Sequence, residues 1–320
     1  MAEFDNTISS QTADASIIIC TCNRSDSLAL TLQAVDACDV GTDLRVELIV
    51  VDNASKDGTR RVVEQFRSSK FEVRYVFEAK RGKGNAYNAG IAAAHSDILL
   101  FTDDDVRPAD GWLLEHVAAY SDANIAGVQG RIELDFEAPP PDWIGPVHRS
   151  LLAEMCPSDE PIFPYPKHLV GANMSFRRSI ALQVGPFNPL LGPGRSGFWD
   201  ESEFTIRLFN RGYQLKYCPG ASVKHMISAD RLKPEYFKDA AYRLGVSSYI
   251  VEGIGTHKVD RHPFRDLVRS VLRNRRERLK AVLRHSVYDC TQDHLFYLMQ
   301  MGATWAYFQG MKRLTERYSS

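Results

Sequence analysis

The chain lacks most of the features that assign a class at a glance. Its cysteines, Cys20, Cys22, Cys38, Cys156, Cys218 and Cys290, form neither CxxC pairs nor a regular disulfide spacing. They read as reduced thiols of a cytosolic protein, with Cys20 and Cys22 as small core hydrophobes on one face of a strand. Charge of one sign is also missing: the formal net charge is -1, so no global field selects nucleic acid or a strongly acidic partner. No stretch reaches the roughly 18 apolar residues that span a bilayer; the longest, Leu295 to Phe308, is broken by Gln300 and Gly302. Residues 1–14 are polar, without the basic start and apolar core of a signal peptide, and read as a flexible amino terminus. No internal repeat is visible, and no glycine stands between Thr21 and Ser25. That last gap argues against a nicotinamide dehydrogenase, which needs G-x-G-x-x-G after its first strand.

What is present is an ordinary globular composition, 44% hydrophobic and 25% charged, enough for a substantial core. Residues 15–102 alternate between strand-like and helix-like patterns. Ser16–Cys20, Val46–Val51, Val73–Phe77 and Asp97–Thr102 read as strands. Ser27–Ala37, Ser55 to about Arg67 (with Ser55 as cap) and Gly82–Ala94 read as the helices between them. This order predicts a mainly parallel, doubly wound sheet. The fourth run ends in Asp103-Asp104-Asp105, at the edge where open α/β sheets place their ligands. An isolated acidic triplet is readily a solvated turn. Here the same edge collects Thr21-Cys22-Asn23-Arg24, Asp52-Asn53 and Lys80-Arg81-Gly82, and adjacent carboxylates are costly unless a cation neutralises them.

The middle of the chain is less regular. Ile125–Leu134 reads as a strand, and proline-rich stretches at Pro139–Pro141 and Pro157–Pro166 read as loops. A glycine-rich passage, Gly192–Gly197, leads into Trp199-Asp200-Glu201-Ser202-Glu203, where a helix begins and runs to Arg211-Gly212. Beyond residue 229 the character changes to a helical carboxyl-terminal extension, residues 230–320. Between His257 and His285 basic residues outnumber acids, while Val268, Val271, Leu272, Leu279, Val282 and Leu283 recur at helical spacing. This basic amphipathic helix suits packing on the core with a solvated face, or peripheral contact with anionic lipid.

Taken in order, several pieces resemble a family 2 glycosyltransferase of the GT-A fold, over roughly Ala15 to Met226. They are Ile17–Arg24, Val50–Thr59, Asp103-Asp104-Asp105, Gly171–Arg178, Asp200-Glu201-Ser202-Glu203 and His225. The resemblance implies a catalytic domain over residues 15–229 and an inverting, metal-dependent transferase, expected to be a hexosyltransferase. It would move a sugar from a nucleotide-diphosphate donor to an acceptor hydroxyl. A UDP-sugar is the first choice of donor, with GDP- and dTDP-sugars behind it.

By the same resemblance Asp105 contacts Mn²⁺ or Mg²⁺, Asp103 serves the metal shell or the ribose, and His225 is a third metal ligand. Thr21, Asn23, Arg24 and Asp52 hold the base and ribose. Asn53, Arg81 and Lys83 are nucleotide or phosphate contacts, and Asp104 lies in the donor site without an assigned role. Glu201 is the catalytic base, supported by Asp200, although this sequence reverses the family's usual Glu-Asp order and leaves the register between them open. Gly171, Ala172 and Asn173 offer small residues and an amide to an acceptor. Trp199, like Trp143, is suited either to stacking on a sugar or to the core.

Expected acceptors are a glycan, a lipid-linked intermediate or a small molecule, with no nucleic acid. A homodimer and a cytoplasmic location, peripheral at the inner face of the membrane, complete the expectations. The competing reading is a non-catalytic nucleotide-sugar-binding protein of the same fold, which has no need of an acid at Asp200-Glu201.

Overall fold

The computed structural model describes residues 13–253, 268–269, 271–272 and 292–309. Four parallel strands form the first half of the sheet: β1 (Ala15–Thr21), β2 (Val46–Asp52), β3 (Phe71–Phe77) and β4 (Ile98–Asp103). They alternate with α1 (Ser25–Ala37), α2 (Thr59–Gln65) and α3 (Lys83–Ala93). Every residue of β2 is buried, as a strand covered on both faces requires. The two faces sort by the period of two. Ile17, Ile19, Leu48, Val50 and Leu100 join Leu28, Leu32 and Val35 of α1 on one side. Ile18, Ile49, Val51, Leu99 and Phe101 join Ala86, Tyr87 and Ile91 of α3 on the other.

The second half departs from a purely parallel sheet. It contains β5 (Val106–Pro108), α4 (Trp112–Ala119), β6 (Ile125–Phe136), α5 (Pro146–Leu151) and β7 (Asn173–Arg177). After these come α6 (Arg178–Val184), α7 (Asp200–Asn210) and β8 (Gln214–Ile227). The sheet order is β3-β2-β1-β4-β7-β6-β8-β5. β7 runs antiparallel to both β4 and β6, and β5 antiparallel to β8, whereas β6 and β8 are parallel. β7 follows a long excursion instead of a crossover helix, so it enters the sheet from the opposite end.

A short 3₁₀ turn (Ala229–Leu232) leads to α8 (Pro234–Gly253), which packs against α9 (Gln292–Gln309). These helices bury Phe237, Ala241 and Leu295 with Leu152 and Ile227, and Val246, Ile250 and Ala306 with Leu191. Among the described residues no helix is long and apolar enough to cross a membrane. Most of the basic 257–285 segment lies outside the described residues; Val268 and Leu272, assigned to its apolar face, are exposed.

Local chemistry shifts some expected boundaries. α2 begins at Thr59 rather than Ser55, because Asp57 takes the Thr59 amide at 3.1 Å and its hydroxyl, while the Ser55 amide donates to Asp52 Oδ1 at 2.8 Å. Cys22 lies past the end of β1, so only Cys20 belongs to that strand. Trp143 is a packing residue: its ring meets those of His148 and Phe237 edge-on at 5.3 and 5.5 Å.

Candidate active site

The carboxyl ends of β1, β2 and β4 bring together the residues expected on the donor side. Asp52 is buried, accepting from the Tyr75 hydroxyl at 2.7 Å and from the Ser55 amide. Asn53 takes the Gly82 amide at 2.7 Å and donates to the Lys80 carbonyl at 2.8 Å, so it anchors the loop bearing Arg81. Arg81 itself is exposed and reaches the Ala54 carbonyl at 3.3 Å. Asn23 and Ala54 both adopt positive φ, 54° and 59°, a conformation unusual for side-chain-bearing residues and tolerated where surrounding contacts over-determine it. Asn23 is held by the Lys56 amide, which donates to its Oδ1 at 2.7 Å.

Asp104 is turned inward. Thr21 Oγ1 donates to one of its oxygens at 2.6 Å and Arg24 to the other at 2.7 Å. Burial raises its carboxyl to about 6 against the opposing pull of Arg24. Asp104, expected in the donor site without an assigned role, thus holds the Thr21–Arg24 loop.

Asp105 accepts from Arg24 at 2.8 Å on Oδ2, and Arg231 approaches the same oxygen at 3.4 Å. Its Oδ1 is buried, has no hydrogen-bond partner and lies 3.2 Å from His225 Nε2. Burial opposes the charge of Asp105, while the Arg24 and Arg231 guanidiniums favour it and pull the carboxyl below the usual range. His225 Nδ1 is 2.9 Å from the Leu152 carbonyl. Donation there fixes the tautomer and leaves Nε2 as a lone-pair donor. An orphaned carboxylate oxygen facing an imidazole nitrogen fits a Mn²⁺ or Mg²⁺ ion, whose other ligands would come from phosphate and water.

Asp103 does not join this pair. Its Oδ1 is bound by Lys83 Nζ at 2.7 Å, and among the described residues no group of three His, Cys, Asp or Glu side chains gathers as a cage. Asp103, expected in the metal shell or at the ribose, is engaged here by Lys83.

That lysine links the two halves of the site. Its ammonium also lies 3.4 Å from Glu201 Oε1, to which the Tyr87 hydroxyl donates at 3.1 Å. α7 opens with Asp200, Glu201 and Glu203 in its first turn, acids that favour the helix dipole. Glu203 is taken by Arg207 at 2.9 Å and plays a structural part. Trp199, immediately before the helix, adopts φ 75° and packs beside Leu191 and Val246, so the turn aiming Glu201 is conformationally strained.

Asp200 and Glu201 are pushed apart. Burial, with the adjacent Glu201 charge, drives Asp200 well above a normal carboxyl. Burial also opposes ionisation of Glu201, yet Lys83 and the Asp200 hydrogen bond bring it down to about 2. The arrangement is a protonated Asp200 beside an ionised Glu201. Gly171 is pressed against Glu201: a Cβ there would collide with Tyr87 Oη and Glu201 Oε1.

Of Gly171, Ala172 and Asn173, expected with Trp199 to meet an acceptor, Gly171 alone reaches Glu201. Ala172 is buried, its carbonyl accepting from Thr102 Oγ1 at 2.9 Å. Asn173 is a fully buried hub whose amide donates to the Arg131 and Ala221 carbonyls and accepts from Trp112 Nε1 at 2.7 Å. The acceptor role of Ala172 and Asn173 is thus corrected, because neither presents a free group. Tyr87 and Arg231 were not anticipated. Tyr87 stands four residues after Lys83, on the same face of α3, and that spacing is its one signal in sequence; Arg231 carries no comparable signal.

The mixed sheet thus carries an Asp-rich turn at the end of β4 with a carboxylate–imidazole pair beside it, and the half-buried Glu201 of α7 faces that edge. Residues 16–183 match the model of glycosyl transferase family 2, and the chain belongs to that family. It is 28% identical over 205 residues to the glycosyltransferase AglE of Haloferax volcanii, covering 63% of each chain. It is 25% identical over 240 residues to the succinoglycan biosynthesis protein ExoM of Rhizobium meliloti, covering 73% of this chain and 74% of that protein. The match to AglE thus spans just under two thirds of that relative's length. In fold the chain is similar to the mannosyltransferase PcManGT of Pyrobaculum calidifontis, solved with GDP-Man and Mn²⁺. There the TM-score is 0.62 at 18% identity, covering 96% of this chain and 89% of that one.

Proposed function

We infer that this protein transfers a sugar from a nucleoside diphosphate sugar to an acceptor hydroxyl, with inversion at the anomeric carbon and Glu201 as base. The observation that carries this reading is the single ammonium of Lys83 lying between Asp103, 2.7 Å away, and Glu201, 3.4 Å away. It makes the donor edge and the base parts of one site. In the transfer, the acceptor oxygen forms its bond to the anomeric carbon as the bond to the diphosphate breaks, and the hydroxyl proton passes to Glu201. Glu201 is ionised for that task, held by Lys83 and Tyr87, and protonated Asp200 beside it adds no competing charge. Thr21, Asn23, Arg24, Asp52, Asn53 and Arg81 line or support the nucleotide side, and Trp199 and Gly171 border the acceptor side. A Mn²⁺ or Mg²⁺ ion held by Asp105 and His225 would supply Lewis-acid stabilisation of the leaving diphosphate.

A non-catalytic nucleotide-sugar binder fits less well, because it has no use for an ionised, half-buried glutamate against the donor edge. A UDP-sugar remains the first choice of donor, and the GDP-Man bound by PcManGT makes a GDP-sugar its nearest competitor. Calorimetric titration with UDP, GDP and dTDP, each with Mn²⁺ and with chelator, tests the reading. Metal-dependent binding of one nucleotide supports it and names the donor class. Binding of none sinks it.

A further inference from the structure

Arg231 sits on the 3₁₀ turn between β8 and α8, and its side chain reaches back to the carboxylate edge. One guanidinium nitrogen lies 3.2 Å from His225 Nε2 and 3.4 Å from Asp105 Oδ2. The other donates to the Tyr236 hydroxyl at 3.1 Å, and the group stands 5.3 Å from the centre of that ring. With Nδ1 committed to the Leu152 carbonyl, Nε2 carries the only lone pair of the His225 ring. An N–H of Arg231 is aimed at that lone pair. A divalent cation coordinated by Asp105 and His225 requires the same one, and one lone pair serves one of them at a time.

Charge adds to the conflict. Arg24 already contacts Asp105 Oδ2 at 2.8 Å, so a cation entering beside two guanidiniums meets repulsion at short range. Tyr236 gives Arg231 a second point of attachment away from the metal pair. Planar guanidinium forks also match phosphate oxygens well.

Resting on the reading of Asp105 and His225 as a metal pair in a nucleoside-diphosphate site, we propose that Arg231 is a built-in competitor of the divalent cation. It guards Asp105 and His225 until the diphosphate of a donor draws the guanidinium away. Cation and donor then bind with positive coupling, each raising the other's affinity by the same factor.

The test is Mn²⁺ binding to the full-length chain, followed by electron paramagnetic resonance of the free ion, alone and with UDP or GDP. Arg231→Gln binds Mn²⁺ about tenfold more tightly than the wild type without nucleotide, and gains less from adding UDP or GDP. Arg231→Lys also binds more tightly, because a single ammonium lacks the planar fork that joins His225, Asp105 and Tyr236; it carries the comparison if the glutamine variant does not fold. Wild-type or weaker affinity in Arg231→Gln overturns the proposal. So does tighter binding in Arg231→Gln with none in Arg231→Lys, which reduces the effect to the field of one charge. His225→Ala separates the two layers of the argument: if it binds Mn²⁺ as the wild type does, the metal pair itself is wrong and the competition falls with it.

Discussion

The carboxylates of the site are compensated in two different ways. On the β4 side, Asp104 and Asp105 are met by guanidiniums, Arg24 bridging the pair and Arg231 joining Asp105 from the far end of the sheet. On the α7 side, Asp103 and Glu201 share one ammonium, with a phenol as the second partner of Glu201. A guanidinium fork fixes direction and register, which suits the proposed presentation of one oxygen and one imidazole nitrogen to a cation. An ammonium is a point charge that holds a carboxylate ionised without spanning both its oxygens. Glu201 is therefore charged yet keeps room to accept a proton, whereas Asp104 is locked in place.

The strongest way to break this contrast is to neutralise Glu201, the proposed base. Glu201→Gln lowers kcat by about 10²- to 10⁴-fold, with nucleotide affinity in calorimetry unchanged. Asp200→Asn, replacing an already neutral carboxyl by a neutral amide, costs far less, and equal losses in steady-state kinetics would move the base to Asp200. Next in size is Gly171→Ala. Its methyl displaces the Glu201 carboxylate, and kcat falls by roughly 10²-fold, as expected for a misplaced reacting group, while the thermal midpoint moves little.

Lys83→Met sharpens the ammonium side through pH. With Glu201 near 2 in the intact site, the base is ionised throughout the neutral range, and rate is lost only as acid protonates it. Removing the main influence that lowers it lets burial raise the carboxyl, so the acid limb of the kcat profile moves upward by about one unit or more. An unmoved limb means that Lys83 does not govern Glu201. The smallest effect is that of Tyr87→Phe, which removes one hydrogen bond to a charged group, worth about 1.5 kcal/mol at the low end of its range; kcat drops by about tenfold with KM for the donor unaltered.

How much of this was legible depended on where in the chain a residue stood. β1, β2 and β4 were readable because buried parallel strands are largely continuous apolar runs, and the residues ending them must lie on one edge. Thr21, Asp52, Asp103 and Asp105 were found that way. β3, at the sheet edge with Glu72 and Arg74, was readable from its β-branched and aromatic residues. Boundaries set by a single side chain were not: Ser55 and Asp57 both suit a helix start, and only the pull of Asp52 on the Ser55 amide decides between them. Asn173 was misread for a physical reason, and the same reason left Asp104 without a role. A polar side chain at a sheet edge looks functional in sequence, and its burial among backbone carbonyls or against an arginine appears only when distant strands close over it. Tyr87 and Arg231 were missed because their partners lie 114 and 126 residues away.

The sequence by itself determined the α/β alternation, the acidic edge and the family, since each is written in local periodicity or in a short run of residue types. The tertiary structure decided which carboxylate is charged, which nitrogen of His225 faces Asp105, and that β7 runs against β4. Those outcomes depend on desolvation and on opposite charges a few ångströms away, and both arise only when segments remote in the chain are packed together.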